Sequence, residues 1–229
     1  MQYELYLKYD AQMGIGLRGH WGNLFQYTRA DIMYWTDKEE ADDNEDEDEG
    51  EGTKIGFITW ATYNQALAMA HGVTMTGVPL VKMQYNSEAL MKLDYTHISQ
   101  ETIDEIGAAS NPNIVILIHF GISVDWRNKG LGEEILKGFI EQMKGKCGYV
   151  VIVNNEPAQC GEQNSPNSPY ATRGVSLDSL EKDAEKAQWK LNAFWQRCGF
   201  KQFKDNENVF ICNVDQAVQE LLKAKAFAV

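Results

Sequence analysis

Polar and apolar residues alternate along residues 2–9, where Tyr3, Leu5, Leu7 and Tyr9 share one face; a period of two predicts a strand. Residues 13–37 are aromatic but lack a clean period; their reading is ambiguous, with short helices one option. Residues 54–60, Lys-Ile-Gly-Phe-Ile-Thr-Trp, read as a second strand. Residues 64–71 suit a brief helix, and 78–85 another strand with Pro79 near its start. Ser99 can cap a helix striped by Ile103 and Ile106, and Asn111-Pro112-Asn113 breaks the chain after it. Residues 114–122 form an unbroken apolar run, fit for the middle of a sheet. Leu131, Ile135, Phe139 and Met143 recur every fourth residue and, with Leu136 and Ile140, define an amphipathic helix. Residues 149–153 read as a strand. Residues 154–175 form a polar insertion with Pro157, Pro166 and Pro169, long enough to be functional or structureless. Asp178 and Glu181 sit in capping-box spacing ahead of a helix through Leu191, Phe194 and Cys198, which Gly199 closes. A hairpin is expected from residues 200–204 and 209–214, then a last helix over 215–226.

Strand, helical region, strands, helix, strand, helix and hairpin in that order describe one domain over residues 1–229: a mixed α/β sheet with helices packed on it. Charge changes this picture little. The net charge is −12, but residues 37–52 hold eleven carboxylates and one lysine, which leaves 22 carboxylates against 20 Lys and Arg elsewhere. The acidic run repels itself and is expected to be a mobile loop on a nearly neutral body. No basic stripe with interleaved aromatics points to nucleic acid. No apolar run reaches 18 residues, so neither a membrane span nor membrane binding is expected. The N-terminus lacks the pattern of a signal peptide. Cys147, Cys160, Cys198 and Cys212 show no paired spacing, which suits a reduced, cytoplasmic protein. His20, His71, His97 and His119 show no metal-ligand spacing, so no metal is expected.

Chemistry concentrates where the apolar run meets its helix, in Val124-Asp-Trp-Arg127-Asn-Lys-Gly130-Leu-Gly132-Glu-Glu. The first turn of a helix leaves N–H groups unpaired and carries partial positive charge. Gly130 and Gly132 remove side chains that would hold a phosphate off the backbone, and Arg127 and Lys129 add mobile positive charge. A pyrophosphate fits. Gly14-x-Gly16-x-x-Gly19 mimics a dinucleotide fingerprint, but no apolar helix opens after it and Glu39 and Glu40 lie in the charge run, so a nicotinamide site is not supported. Cys160 lacks a positioned histidine and reads as an incidental loop thiol.

The stretch Ile122-Ser-Val-Asp-Trp-Arg-Asn-Lys-Gly-Leu-Gly resembles the acyl-CoA signature of the GNAT (N-acetyltransferase) superfamily, with Val124 in place of the usual proline and Trp126 in place of Tyr or Phe. Phe194-Trp-Gln-Arg-Cys-Gly-Phe resembles the family's second motif, at the end of its last core helix. The resemblance spans roughly residues 114–214. It implies a GNAT-like, largely antiparallel sheet flanked by helices and splayed at the acyl-CoA-binding strand. It implies acetyl-CoA, or another short acyl-CoA, as co-substrate. The backbone of Phe120, Gly121 and Ile122 would pair with the pantetheine arm, and the amides of Asn128, Lys129, Gly130, Leu131, Gly132 and Glu133 would hold the diphosphate. Gln188 stands where an asparagine often touches the cofactor. Trp195 replaces the tyrosine that protonates the leaving thiolate; an indole N–H is no proton source, so core packing is the alternative. Tyr149 or Tyr170 could supply the acid, or none is needed. Glu156, just past a strand beside the expected splay, and His119, on the apolar strand, are candidate bases; a solvated loop carboxylate and a satisfied core histidine are the alternatives. The acceptor would be a small-molecule or peptide amine, with residues 154–175 forming part of its pocket. Family members often pair, which leaves a homodimer open. A non-catalytic acyl-CoA-binding regulatory or interaction module is the rival reading.

Overall fold

The computed structural model describes residues 3–14, 25–36, 52–70, 100–153, 157–160, 167–203 and 206–227. Its strands are β1 (Tyr3–Gly14), β2 (Phe25–Thr36), β3 (Thr53–Tyr63), β4 (Ile114–Ile122), β5 (Tyr149–Val153), β6 (Lys201–Phe203) and β7 (Asn206–Asn213). Its helices are α1 (Gln65–Ala70), α2 (Gln100–Ile106), α3 (Leu131–Met143), α4 (Ala184–Arg197) and α5 (Val214–Phe227). The strands form one sheet in the order β1-β2-β3-β4-β5-β7-β6. Every described pairing is antiparallel except β4–β5, the two strands joined through α3. A parallel pair needs such a crossover, and a helix long enough to cover a sheet face supplies it.

The main core lies between the sheet and its helices. Leu136, Phe139 and Ile140 of α3 meet Ile58 and Trp60 of β3, Val115 and Leu117 of β4, and Val218 of α5. The Phe139 ring packs edge-on against Trp60 at 5.1 Å. The period-four stripe expected along 131–143 is the face that α3 buries.

Two expectations need correction. Residues 25–36 are a twelve-residue strand, not short helices. The buried positions include Thr28, Ala30 and Ile32, too small or polar to read as an apolar alternation, and a bulge between Ile32 and Met33 breaks the period. The helix expected after Asp178 begins instead at Ala184: the Asp183 side chain accepts from the Lys186 N–H at 3.0 Å, while Asp178 is tied to Ser176 Oγ. The strand expected at 78–85, the acidic run at 37–51 and the glycines Gly16 and Gly19 lie outside the described residues. Among the described residues no helix is long and apolar enough to cross a membrane.

Among the described residues the sheet opens along β4. β3 pairs with β4 from Ile114 to Ile122, but the register skips one β4 residue, Ile118, between Leu117 and His119. On the other side β5 pairs only with Ile114, Val115, Ile116 and Leu117. The bulge and the parting of the strands coincide, so the edge of β4 from Ile118 to Ile122 is not paired by β5. A bulge bends its strand and re-aims the residues beyond it, here directing the second half of β4 away from its parallel neighbour.

Candidate functional site

Ser123 N–H pairs back to Ile55 C=O at 2.8 Å, so Gly121 and Ser123 direct their backbone groups at β3. By alternation Phe120 and Ile122 direct theirs at the open edge. Two of those four groups are taken by side chains. The Phe120 N–H donates to the Tyr170 hydroxyl. The Ile122 C=O accepts from Arg127 Nε at 2.8 Å. The Phe120 C=O and the Ile122 N–H have no partner among the described residues and stand ready for an amide of an added strand-like ligand.

The chain then makes a 3₁₀ turn, Val124–Trp126, and a sharp corner into α3. Asn128 and Gly130 both take left-handed backbone, at φ 60° and 81°. Glycine adopts that region at no steric cost, and asparagine is among the few other residues that tolerate it. Gly130 caps α3 without a side-chain hydrogen bond. Among the described residues, the amides of Asn128, Lys129, Gly130, Leu131 and Gly132 find no backbone acceptor. Successive amides of this kind, with the helix dipole behind them, form an anion cradle. The Glu133 N–H is not part of it, because it donates to the Gly130 C=O at 3.1 Å.

A groove joins the open edge to this cradle. Its narrow part, about 190 Å³, lies between β4 and β5 and is walled by Leu117, Ile152, Trp195, His119 and Tyr170. Its wide part, about 410 Å³, reaches Trp126, Asn128, Gly130 and Gly132. Phe120, Ile122, Arg127, Leu191 and Phe194 line both. The Phe120 and Phe194 rings stack across the groove at 6.3 Å, nearly parallel.

Arg127 does not supply the mobile charge expected of it. Besides Ile122 C=O, its guanidinium donates to Ser179 Oγ at 2.7 Å and to Ser176 C=O. It clamps the end of β4 to the loop before α4. Lysine is a single point donor and cannot span three acceptors set in a fork. Arg127→Ala and Arg127→Lys are each expected to cost about 2 kcal/mol in urea unfolding. Full stability in the lysine variant would mean that charge alone, not the fork, matters. The Lys129 ammonium lies 4.8 Å above the Trp126 ring. On α4, Lys190 and Arg197 border the wide groove, held by Glu181 at 2.8 Å and Glu133 at 3.8 Å. Sequence reasoning passed over both, although their places beside Leu191 and Phe194 put them on the groove side of the stripe.

The other expected residues divide. Gln188 lines neither part of the groove; its amide donates to Asn192 one turn on. Trp195 is a core residue, 6% exposed, packed on Phe194 and Phe200, and its ring also walls the narrow cavity. Among the described residues its Nε1 has no partner. Tyr149 is not at the site: it starts β5, at the paired end, where its hydroxyl donates to Gly107 C=O and accepts from Ala109 N–H. Tyr170 is buried over Gly121, where a Cβ would lie 3.1 Å from the ring. Burial pushes its phenol up to about 12, with the Phe120 N–H pulling the other way. His119 is 4% exposed and its Nδ1 lies 2.9 Å from Thr59 Oγ1. Burial first, then the Arg173 charge, pushes its imidazole down to about 4. His119 is thus both a satisfied core histidine and a wall of the cavity. Glu156 lies outside the described residues. All four cysteines are unpaired; burial pushes the Cys147, Cys198 and Cys212 thiols up to about 12, which makes them inert. Among the described residues no cluster of ligating side chains could hold a metal.

Sheet order, the parallel β4–β5 pair and the opening at β4 make the fold GNAT-like, the architecture that the sequence resemblance implies. No protein-family model matches the chain, and no curated protein sequence does. Solved structures do. The KacTA–DNA complex is similar at 11% identity over 97% of this chain and 99% of that one, with a TM-score of 0.43. AtaT complexed with acetyl-methionyl-tRNAfMet is similar at 10% over 96% and 99%, TM-score 0.42. Arabidopsis thaliana NAA60 in complex with a bisubstrate analogue is similar at 9% over 82% and 76%, TM-score 0.35. At such identities the function rests on this chain's own geometry.

Proposed function

We propose that this chain is an acyltransferase that takes an acetyl or other short acyl group from acyl-CoA and passes it to an amine. One observation carries the reading: the strand that loses its neighbour beyond a bulge is the strand that leads into an amide cradle. A thioester carrier needs both features. Its diphosphate needs the cradle of Asn128 to Gly132, and its amide-bearing arm needs the open groups of Phe120 and Ile122. The thioester then enters the narrow cavity by His119 and Tyr170.

The reaction is a direct attack. The amine lone pair forms a C–N bond to the thioester carbon, the C–S bond breaks, and the sulfur leaves as thiolate. A base takes the proton that the nitrogen must lose. His119, pushed down to about 4, is a weak base at neutral pH. Glu156, which lies outside the described residues, is the candidate we propose for that base. Tyr170 keeps its proton at neutral pH and suits hydrogen bonding to the departing sulfur better than giving the proton outright. One such bond is worth about 1.4 kcal/mol, so Tyr170→Phe is expected to lower turnover about tenfold with little change in KM for acyl-CoA.

Trp195 favours a second reading, a module that binds acyl-CoA without turning it over, because a core indole stands where the family's acid would be. Free CoA measured with acetyl-CoA and a panel of small and peptide amines separates the two. Amine-dependent release supports the transferase. Binding without release from any amine supports the module.

A further inference from the structure

We propose that the acyl group this site is built to hold is a saturated, uncharged chain of about four carbons rather than acetyl; the inference rests on the transferase reading and names its donor. The narrow cavity runs through the sheet. Phe57 and Ile58 are neighbours on β3, so their side chains point to opposite faces. Ile58 belongs to the main core, with Leu117, Ile152 and Trp195. Phe57 belongs to a second core on the far face, with Tyr170, Val175 and Leu177 from the chain between β5 and α4. The cavity is lined from both cores: by Leu117, Ile152 and Trp195 on one side, and by Tyr170, Val175 and Leu177 on the other. One cavity can touch both faces where strands part, and β4 and β5 part there. Its far end is roofed, since Tyr170, Val175 and Leu177 are 8%, 1% and 6% exposed.

Size and polarity set the occupant. At about 30 Å³ per water-sized group, a cavity of about 190 Å³ holds about six such groups. The sulfur, carbonyl carbon, oxygen and methyl of an acetyl thioester make about four, and a butyryl thioester makes about six. An acetyl group would leave about 60 Å³ of apolar space empty, and such space stays dry. The polar groups of the lining are engaged within the fold. Arg127 is held by the Ile122 C=O, His119 Nδ1 by Thr59, the Tyr170 hydroxyl by the Phe120 N–H and the Gln159 amide by the Glu181 C=O. Trp195 Nε1, without a partner among the described residues, is one neutral donor and does not offset a carboxylate. A charged acyl group such as succinyl would therefore be buried without a counter-ion of its own. Each methylene that the cavity buries favours binding about fourfold, so butyryl-CoA is expected to bind about fifteenfold tighter than acetyl-CoA.

The test is isothermal titration of the full chain with free CoA and with acetyl-, butyryl-, hexanoyl- and octanoyl-CoA. Butyryl-CoA is expected to bind tightest, with affinity falling again at octanoyl-CoA. Leu177→Ala removes part of the roof and is expected to move the optimum to hexanoyl-CoA. Ala158→Leu adds bulk at the same cavity and is expected to erase the preference for butyryl while acetyl-CoA still binds. Melting temperatures of the three proteins check that each is folded. Free CoA and all four thioesters binding alike overturns the inference and leaves the transferase reading standing. Wild-type affinity that keeps climbing to octanoyl-CoA overturns it in the same way, as does an optimum that no folded variant moves. Binding of none of the five overturns the transferase reading together with the inference.

Discussion

Gly132→Trp should abolish stabilisation by acetyl-CoA while Gly132→Ala keeps it. Gly132 is the second residue of α3, and a Cβ there would meet Ile122 Cδ1 and the Phe194 ring at 3.4 Å. That is ordinary contact, so alanine fits and gains a little helix propensity. An indole reaches past these neighbours into the groove that Gly132, Ile122 and Phe194 line together. At a hundred times its dissociation constant a ligand adds about 2.7 kcal/mol to the wild type. Melting scans with and without acetyl-CoA should show that gain in the wild type and in Gly132→Ala and none in Gly132→Trp. A Gly132→Trp protein that melts normally and is still stabilised would put the ligand elsewhere.

The second large effect is acid sensitivity from His119. Its ordinary pKa is 6.5 and the folded site pushes it down to about 4. Below pH 6.5 the unfolded chain takes up a proton that the folded site refuses. The stabilisation is therefore fully present above pH 6.5 and is lost as pH falls toward 4. The difference integrates to about 3 kcal/mol by pH 4. Urea unfolding of wild type and His119→Gln at pH 7.5 and pH 4 should show the wild type losing about 3 kcal/mol more than the variant. Equal losses would mean that His119 is protonated in the fold.

Both effects sit on features that local sequence shows unevenly. The corner at 122–132 is legible because a continuous apolar run, left-handed positions filled by Asn128 and Gly130, and a period-four stripe each leave their own mark. β2 is not, since Thr28 and Ala30 bury little apolar bulk and its bulge breaks the alternation. The bulge at Ile118 has no sequence mark at all; it is set by how β3 and β5 pair around β4. Arg127 reads as a ligand for phosphate because its spacing suits one, yet Ser176 and Ser179, some fifty residues on, decide where its fork goes. Tyr170 in a polar insertion gives no local sign of burial. The one hint is Gly121, a missing side chain in an apolar strand, which leaves a gap that a ring can fill. Asp178 and Asp183 both offer a cap; Asp183 takes it, and the loop before it carries Ser176 and Ser179 to Arg127.

A titration of ¹⁵N-labelled protein with acetyl-CoA, tracked by amide chemical shifts, tests the central claim most directly. The largest shifts are expected at Asn128, Lys129, Gly130, Leu131 and Gly132, where the diphosphate would lie, and at Ile122, where the arm would pair. Shifts confined to other parts of the chain, or none at saturating acetyl-CoA, would contradict the account.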